Sequence, residues 1–396
     1  MSTDPLKSLG YNPIFKVSAL LGLFPFENEP TFKLDGTLFA YSAAFTAAVT
    51  VVGVLSMLDD LTPLLSESYN QAIILAYIAG LILVFPSSLL CAFLKRNTVQ
   101  QTFQAMKEMQ STFEKIRLSG YNKWTHRLPL LDISVPFICT LLIYITNRNI
   151  PCTAFGTFYS LTLIGMSLIC GQLSFFVDLI GDIFDAGITF LNKMKLSLVI
   201  KRHSRRISEL VKAMNKLGSV SCSLNDVYSD QILVIMSLCF CGFSIHLYYI
   251  TSFSTLPDGF KFDLLLPQVF SVLFYLYVSW RVNQSSAETS EKSKEFNTLL
   301  YQLMIDDKTN EILHNNKLRL HISMKREVVF TACGFFNLDY TLVRSMIASA
   351  TTYLVILIQF SKTGCINPHP ELTASFNLTT NRSVLNNLPI NCNINL

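Results

Sequence analysis

Charge is what this chain has little of. Asp, Glu, Lys and Arg make up 15% of its 396 residues, where a soluble domain carries roughly 25%. A two-domain soluble enzyme of this composition would lack the polar surface to cover itself. Disorder is excluded too, because it needs low hydrophobicity, and this chain is 51% hydrophobic with a mean hydropathy of +0.40. No repeat period is present, which removes collagen, coiled-coil and solenoid readings. A net charge of +4 is too mild to point to nucleic acid. Motifs for catalysis are also missing. The six His residues form no H-E-x-x-H, and there is neither a G-x-S-x-G elbow nor a Walker lysine. The ten Cys show no metal-ligand spacing. No enzyme activity, metal or cofactor is therefore expected. The N-terminus has no basic region followed by an apolar core and a small-residue cleavage site, so no signal peptide is read.

Long apolar runs are what the chain has instead. A bilayer core of ~30 Å needs about 20 apolar helical residues. Seven stretches qualify: 36–58, 71–94, 128–147, 153–180, 229–253, 262–282 and 341–360. The third is the weakest of the seven as a span, because it carries Asp132 and Pro136. The predicted fold is all-α: a polytopic membrane protein of seven transmembrane helices with helical cytoplasmic extensions. Residues 13–26 are too short to span and are placed in the interface.

Lys and Arg set the orientation, since cytoplasmic loops carry their excess. With the N-terminus inside, the four inner segments hold three, seven, eight and eight of them. That is 26 of the 31 in the chain. The outer side holds only Arg148, Lys261, Lys362 and Arg382, and Arg344 lies at the inner end of the last span. The N-terminus is read as inside and the C-terminus as outside. Five regions follow: a cytoplasmic or interfacial N-terminus (1–35), spans 1–6 with a ligand-binding bundle (36–282), cytoplasmic anchor helices (283–340), a last span (341–360) and an extracellular tail (361–396). The tail carries glycosylation sequons at Asn377 and Asn381, although eight Asn in the last 36 residues make chance occurrence an equal alternative. A third sequon at Asn283 falls inside and should be silent. Cys152, Cys365 and Cys392 face the oxidising side, and their pairing cannot be deduced.

This inverted topology excludes a G-protein-coupled receptor, which places its N-terminus outside. A secondary transporter is a weaker alternative, because no inverted repeat is present and Asp132, Asp178 and Arg344 fall near inner membrane ends, where reaching water costs little. Phe296, Leu299, Leu300, Leu303 and Met304 recur at helical spacing on the segment after span 6. With residues 97–118 and 193–220, it is expected to extend the membrane helices into a packed inner bundle. His246 is the one His within a span. Beside Tyr248 and Tyr249, it is expected to contact ligand rather than to catalyse.

The last span carries a polar stripe. At ~100° per residue, Ser345, Ser349, Thr352, Ile356 and Gln359 fall within about 80–100° of one another, while Arg344 and Thr351 lie outside that arc. Val343, Leu354 and Leu357 occupy the opposite face. Such a stripe suits either tight small-residue packing or a water-lined conduit made of several copies, and wheel geometry leaves both open.

The same helix carries the decisive motif. Thr352-Tyr353, five hydrophobic residues and Gln359-Phe360 resemble the signature of insect gustatory receptors. Residues 332–339 (ACGFFNLD) resemble the segment that precedes it, and Gly22-Leu23-Phe24-Pro25 resembles the family's N-terminal G-L-F-P. The resemblance implies a ligand-gated, non-selective cation channel that requires no G protein. It implies four subunits, as a homotetramer or a heterotetramer with other gustatory receptors, around one pore lined by the last helix. By carry-over, Gln359 and Phe360 form the outer gate, with Thr352 and Tyr353 lower on the same helix. The odorant-receptor branch, with the same architecture, is the alternative. Residues 361–396 depart from the pattern, because family members usually stop soon after the motif. The implied ligand is a small tastant, a sugar or a plant secondary metabolite, bound in the outer half of spans 2–6. The outer polar and aromatic candidates are Gln71, Tyr77, Tyr144, Asn147, Phe158, Tyr159, His246, Tyr248, Tyr249, Gln268 and Phe270. The implied location is the plasma membrane of a sensory neuron.

Overall fold

A computed structural model describes residues 13–26, 33–64, 70–116, 129–146, 153–196, 200–254, 262–306 and 327–363. The described elements run α1 (Pro13–Leu20), α2 (Gly36–Leu64), α3 (Asn70–Leu94), α4 (Arg96–Ile116), α5 (Pro129–Thr146), α6 (Thr153–Leu196), α7 (Ile200–Ser254) and α8 (Phe262–Asp306). A short antiparallel hairpin follows, β1 (Thr331–Ala332) and β2 (Phe336–Asn337), and then α9 (Tyr340–Thr363). Each of the seven apolar runs is helical. Five described helices carry stretches long and apolar enough to cross a membrane. The other two runs form α5, whose apolar part Asp132–Thr146 is shorter, and α9, whose polar stripe lowers its hydropathy.

The exposed surface has the composition of a lipid-facing one. Val51, Leu55 and Leu58 on α2, Leu83 and Leu90 on α3, and Phe137, Ile138 and Ile145 on α5 are each more than half exposed. Apolar surface this extensive is not tolerated in water. In hydrocarbon it carries no cost, provided the backbone is hydrogen-bonded internally, as helices ensure. The centre of the bundle is α6, whose Leu163, Met166, Phe176 and Val177 are fully buried.

Helices α6, α7 and α8 have 44, 55 and 45 residues. At ~1.5 Å per residue each is about twice the bilayer core in length, so each projects well beyond it. The projecting parts are packed. Val99, Phe103, Met106, Met109 and Phe113 form the buried face of α4, which lies against α7. Phe184 and Phe296 join α6 to α8 with ring centroids 6.1 Å apart, and Lys216 pairs with Glu108 at 2.6 Å.

The N-terminal segment also enters the bundle. Ile14, Phe15, Phe24 and Phe26 are buried. Phe15 meets Phe176 at 5.3 Å and Phe24 meets Phe103 at 6.4 Å. Gly22 turns the chain between them with φ +68°, and a Cβ there would stand 3.1 Å from the Ser42 backbone, so the turn favours glycine for both reasons.

Asp132 and Asp178 do not simply reach for water from their membrane ends. Both bond to Arg281 of α8, Asp132 through Nε at 2.7 Å and Nη2 at 3.1 Å, and Asp178 through Nη2 at 2.7 Å. Arg281 also bonds Ser285. One guanidinium thus ties α5, α6 and α8 together, using the fork geometry that lets Arg serve two carboxylates at once.

Candidate functional site

Two features stand out among the described residues: a buried polar chain in the part of the bundle predicted to be outermost, and the exposed face of α9.

The polar chain joins α3, α6, α7 and α8. Tyr77 of α3 bonds Tyr275 of α8 through their hydroxyls. Tyr275 bonds Tyr159 of α6 at 3.1 Å, and Tyr159 meets His246 Nε2 of α7 at 3.1 Å. His246 Nδ1 lies 2.5 Å from Gln268 Oε1 of α8. With Gln268 presenting its oxygen, Nδ1 of the neutral ring carries the proton and Nε2 accepts one from Tyr159. Tyr159 then accepts from Tyr275, and Tyr275 from Tyr77. The rings reinforce the order, since His246 stacks on Tyr275 with centroids 5.7 Å apart and planes 20° apart. Gly242, one turn before His246, makes room for this: a Cβ there would fall 2.7 Å from the Tyr275 ring. A buried polar chain satisfied throughout is rigid, and a partner removed from it leaves an unpaired buried group. A ligand entering here must supply hydrogen-bonding groups of its own.

Four of the sequence candidates therefore converge: Tyr77, Tyr159, His246 and Gln268. Tyr275 was missed. It lies seven residues after Gln268, on the same face of α8, with Ser271 between them. That register is the signal that finds it. The other candidates lie apart from the chain. Phe158 is buried against α2, where Gly53 accommodates its ring. Tyr248 and Tyr249 are half-buried near the end of α7, with ring centroids 6.1 Å apart. Phe270 packs partly buried against the core. Tyr144 is 44% exposed on α5. Gln71 belongs to α3 and Phe360 to α9, but their side chains lie outside the described residues, as do Asn147, Asn377, Asn381, Cys152, Cys365 and Cys392. Asn283 is buried within α8 and donates to the Ser279 carbonyl at 2.7 Å, a setting closed to glycosylation.

Helix α9 rests on α7 and α8. Its own Ala350 is fully buried at that contact side. Ser345, Ser349, Thr352, Ile356 and Gln359, the predicted stripe, are all exposed on the protomer, and Tyr353 is half-buried. Ser345 Oγ donates to the Thr341 carbonyl at 2.8 Å and Thr352 Oγ1 to that of Ala348 at 3.0 Å. With their hydrogens turned into the helix, these hydroxyls present oxygen lone pairs outward. Ser349, Thr352 and Ile356 of the stripe, with Tyr353, share a lateral cavity of about 470 Å³ with Phe240 and Ser244 of α7.

The profile of the 7tm chemosensory receptor family matches residues 11–364. The chain belongs to this family. Among relatives of the 7tm chemosensory receptor chain, the gustatory receptor for bitter taste 66a of Drosophila melanogaster is 27% identical over 39% of this chain and 30% of its own length. The protein designated gustatory receptor 28a of the same species is 24% identical over 70% of this chain and 71% of its own. The match to the first thus spans less than a third of that relative. The fold is that of the insect olfactory receptor OR5 from Machilis hrabei in complex with eugenol, with a TM-score of 0.63 over 90% of this chain and 97% of OR5 at 12% identity. These findings make the protein a multi-pass membrane member of the chemosensory receptor family, and its named relatives are receptors rather than enzymes.

Proposed function

We propose that this chain is a gustatory receptor subunit that opens a cation-conducting pore when a small tastant binds the outer bundle. The N-terminus lies inside, the anchor helices are cytoplasmic, and α9 of each of four copies lines the pore. The exposed oxygen-bearing stripe of α9 carries this reading. A helix inside a bilayer gains nothing by turning Ser345, Ser349, Thr352 and Gln359 toward acyl chains, whereas outward lone pairs suit water and cations. Gln359 and Phe360 form the outer gate, with Thr352 and Tyr353 below. Tyr77, Tyr159, Tyr275, His246 and Gln268 form the heart of the tastant site, and the ligand shifts a closed–open equilibrium by binding the open form better.

The relatives by name are gustatory receptors, which favours this reading over the odorant-receptor branch. Calcium imaging of cells expressing this chain alone, against sugars and bitter plant metabolites, tests it. A tastant-evoked rise in calcium, with single-channel events from the purified protein in planar bilayers, is expected. Saturable uptake without such events would mark a transporter instead.

A further inference from the structure

The hairpin that leads into α9 is held by one side chain of α7. Thr331 N–H donates to Asn225 Oδ1 at 2.8 Å, and Asn225 Nδ2 approaches Thr331 Oγ1 at 3.4 Å. The amide of Asn225 thereby engages β1 with both an acceptor and a donor, as the peptide of a neighbouring strand does. The rest of the hairpin is fixed relative to that clasp. Ala332 is fully buried, Leu338 N–H donates to the Phe330 carbonyl at 2.9 Å, and Cys333 and Gly334 close the turn with φ of 51° and 73°. Asp339 then caps α9, accepting from Thr341 N–H at 2.9 Å.

A second tie lies beside the first. Asp230, also on α7, pairs with Lys95 at 2.5 Å and accepts from Cys333 Sγ at 2.9 Å. Lys95 reaches the Asp226 carbonyl at 2.5 Å. The bend between α3 and α4, the inner part of α7 and the hairpin thus meet within about one and a half turns of helix.

The same α7 carries His246, roughly 30 Å further along its axis at 1.5 Å per residue. One continuous helix therefore joins the polar chain in the bundle to the start of the α9 stripe. We propose that Asn225 is a positioning residue for α9: through its two-point hold on Thr331 it sets the rotation of the stripe, with Asp230 and Lys95 steadying the hold. Displacement of α7 at His246 then reaches α9 through the hairpin. Its consequence for current rests on the channel reading. The positioning itself does not.

The experiment uses the purified full chain in nanodiscs. Ser349→Cys reports on the stripe and Thr298→Cys, exposed on the projecting part of α8, serves as reference, each labelled with a methanethiosulfonate reagent against the unsubstituted parent, which gives the background of the native thiols. Asn225→Ala is expected to change the Ser349→Cys rate about tenfold, the factor for one lost hydrogen bond, and to leave the Thr298→Cys rate alone. Asn225→Asp keeps the acceptor for Thr331 N–H and should restore the parent rate. If Asn225→Ala does not fold, Asp230→Asn and Thr331→Val weaken the same junction more gently and are expected to shift the rate in the same direction. Unchanged labelling in the folded variants, or equal change at Thr298→Cys, overturns the proposal. Altered labelling from a protein that passes no current upholds the positioning and sinks the channel reading. Where current is present, Asn225→Ala should shift open probability without changing unit conductance.

Discussion

Asp132 and Asp178, on different helices, bind the same guanidinium, that of Arg281. The three side chains are 11–22% exposed, so water screens them little. Arg281→Met leaves both carboxylates without their cation, Asp132 keeping only the Tyr277 hydroxyl at 3.4 Å, and loss of one member of a buried ion network costs about 3–5 kcal/mol. Arg281→Lys retains the charge but not the fork, and should fall between. Thermal denaturation in detergent, followed by size-exclusion fluorescence, checks the order wild type, Lys, Met.

The helical framework was legible in the sequence because bilayer solvation demands long apolar runs, and all seven appear as helices. The inner packing was legible from the 3.6-residue period, as Phe296 and Leu300 show. The three-way ion pair was not. Asp132, Asp178 and Arg281 are far apart in the chain, and only the packing of α5, α6 and α8 brings them within reach. Tyr275 escaped for a related reason. Among Phe270, Phe274, Tyr275 and Tyr277 nothing local distinguishes the one whose hydroxyl meets Tyr77 and Tyr159, unless its register with Gln268 is read. Asn225 was invisible for the opposite reason: it is an ordinary polar residue in a long helix, and its partner is a backbone amide 106 positions away.

Gly242 and Tyr275 give a steric test of the polar chain. A methyl group at 242 would stand 2.7 Å from the ring, and the ring is held on its other sides by Phe274, with centroids 5.4 Å apart, and by His246. Overpacking of this kind costs typically about 1–3 kcal/mol. Gly242→Ala should lower thermal stability by that amount and reduce tastant potency. Adding Tyr275→Leu should relieve the clash but restore neither full stability nor potency, because the Tyr77 hydroxyl loses its acceptor and the Tyr275 hydroxyl is gone. Melting curves and concentration–response curves on the same two variants separate the two effects.

His246 tests the direction of the hydrogen-bond chain. His246→Phe leaves the Tyr159 hydroxyl and the Gln268 amide without the imidazole, at about 1–3 kcal/mol for each buried group left unpaired. Combining it with Gln268→Leu replaces the orphaned amide with an apolar group of similar size and keeps Tyr159 as the acceptor for Tyr275. The double variant should be more stable than His246→Phe alone, which a melting comparison would show. Its response to a hydrogen-bonding tastant should still be lost.

The gate assignment makes the sharpest electrical prediction. A bulky apolar ring closes a narrow pore by excluding water rather than by filling it, so shortening the ring lets water stay without any ligand. Phe360→Ala should therefore raise ligand-free current, while Phe360→Leu, nearly as apolar and bulky, should keep it low. Gln359→Leu, by contrast, removes an amide that stands in for hydration once the pore is open, and should reduce unit conductance without adding basal leak. Recording both positions in one planar-bilayer preparation distinguishes a dewetting gate from a general loosening of α9: loosening would raise leak for every substitution, whereas the gate responds to side-chain bulk at 360 and polarity at 359. An unchanged basal leak in Phe360→Ala at normal protein yield would remove Phe360 from the gate.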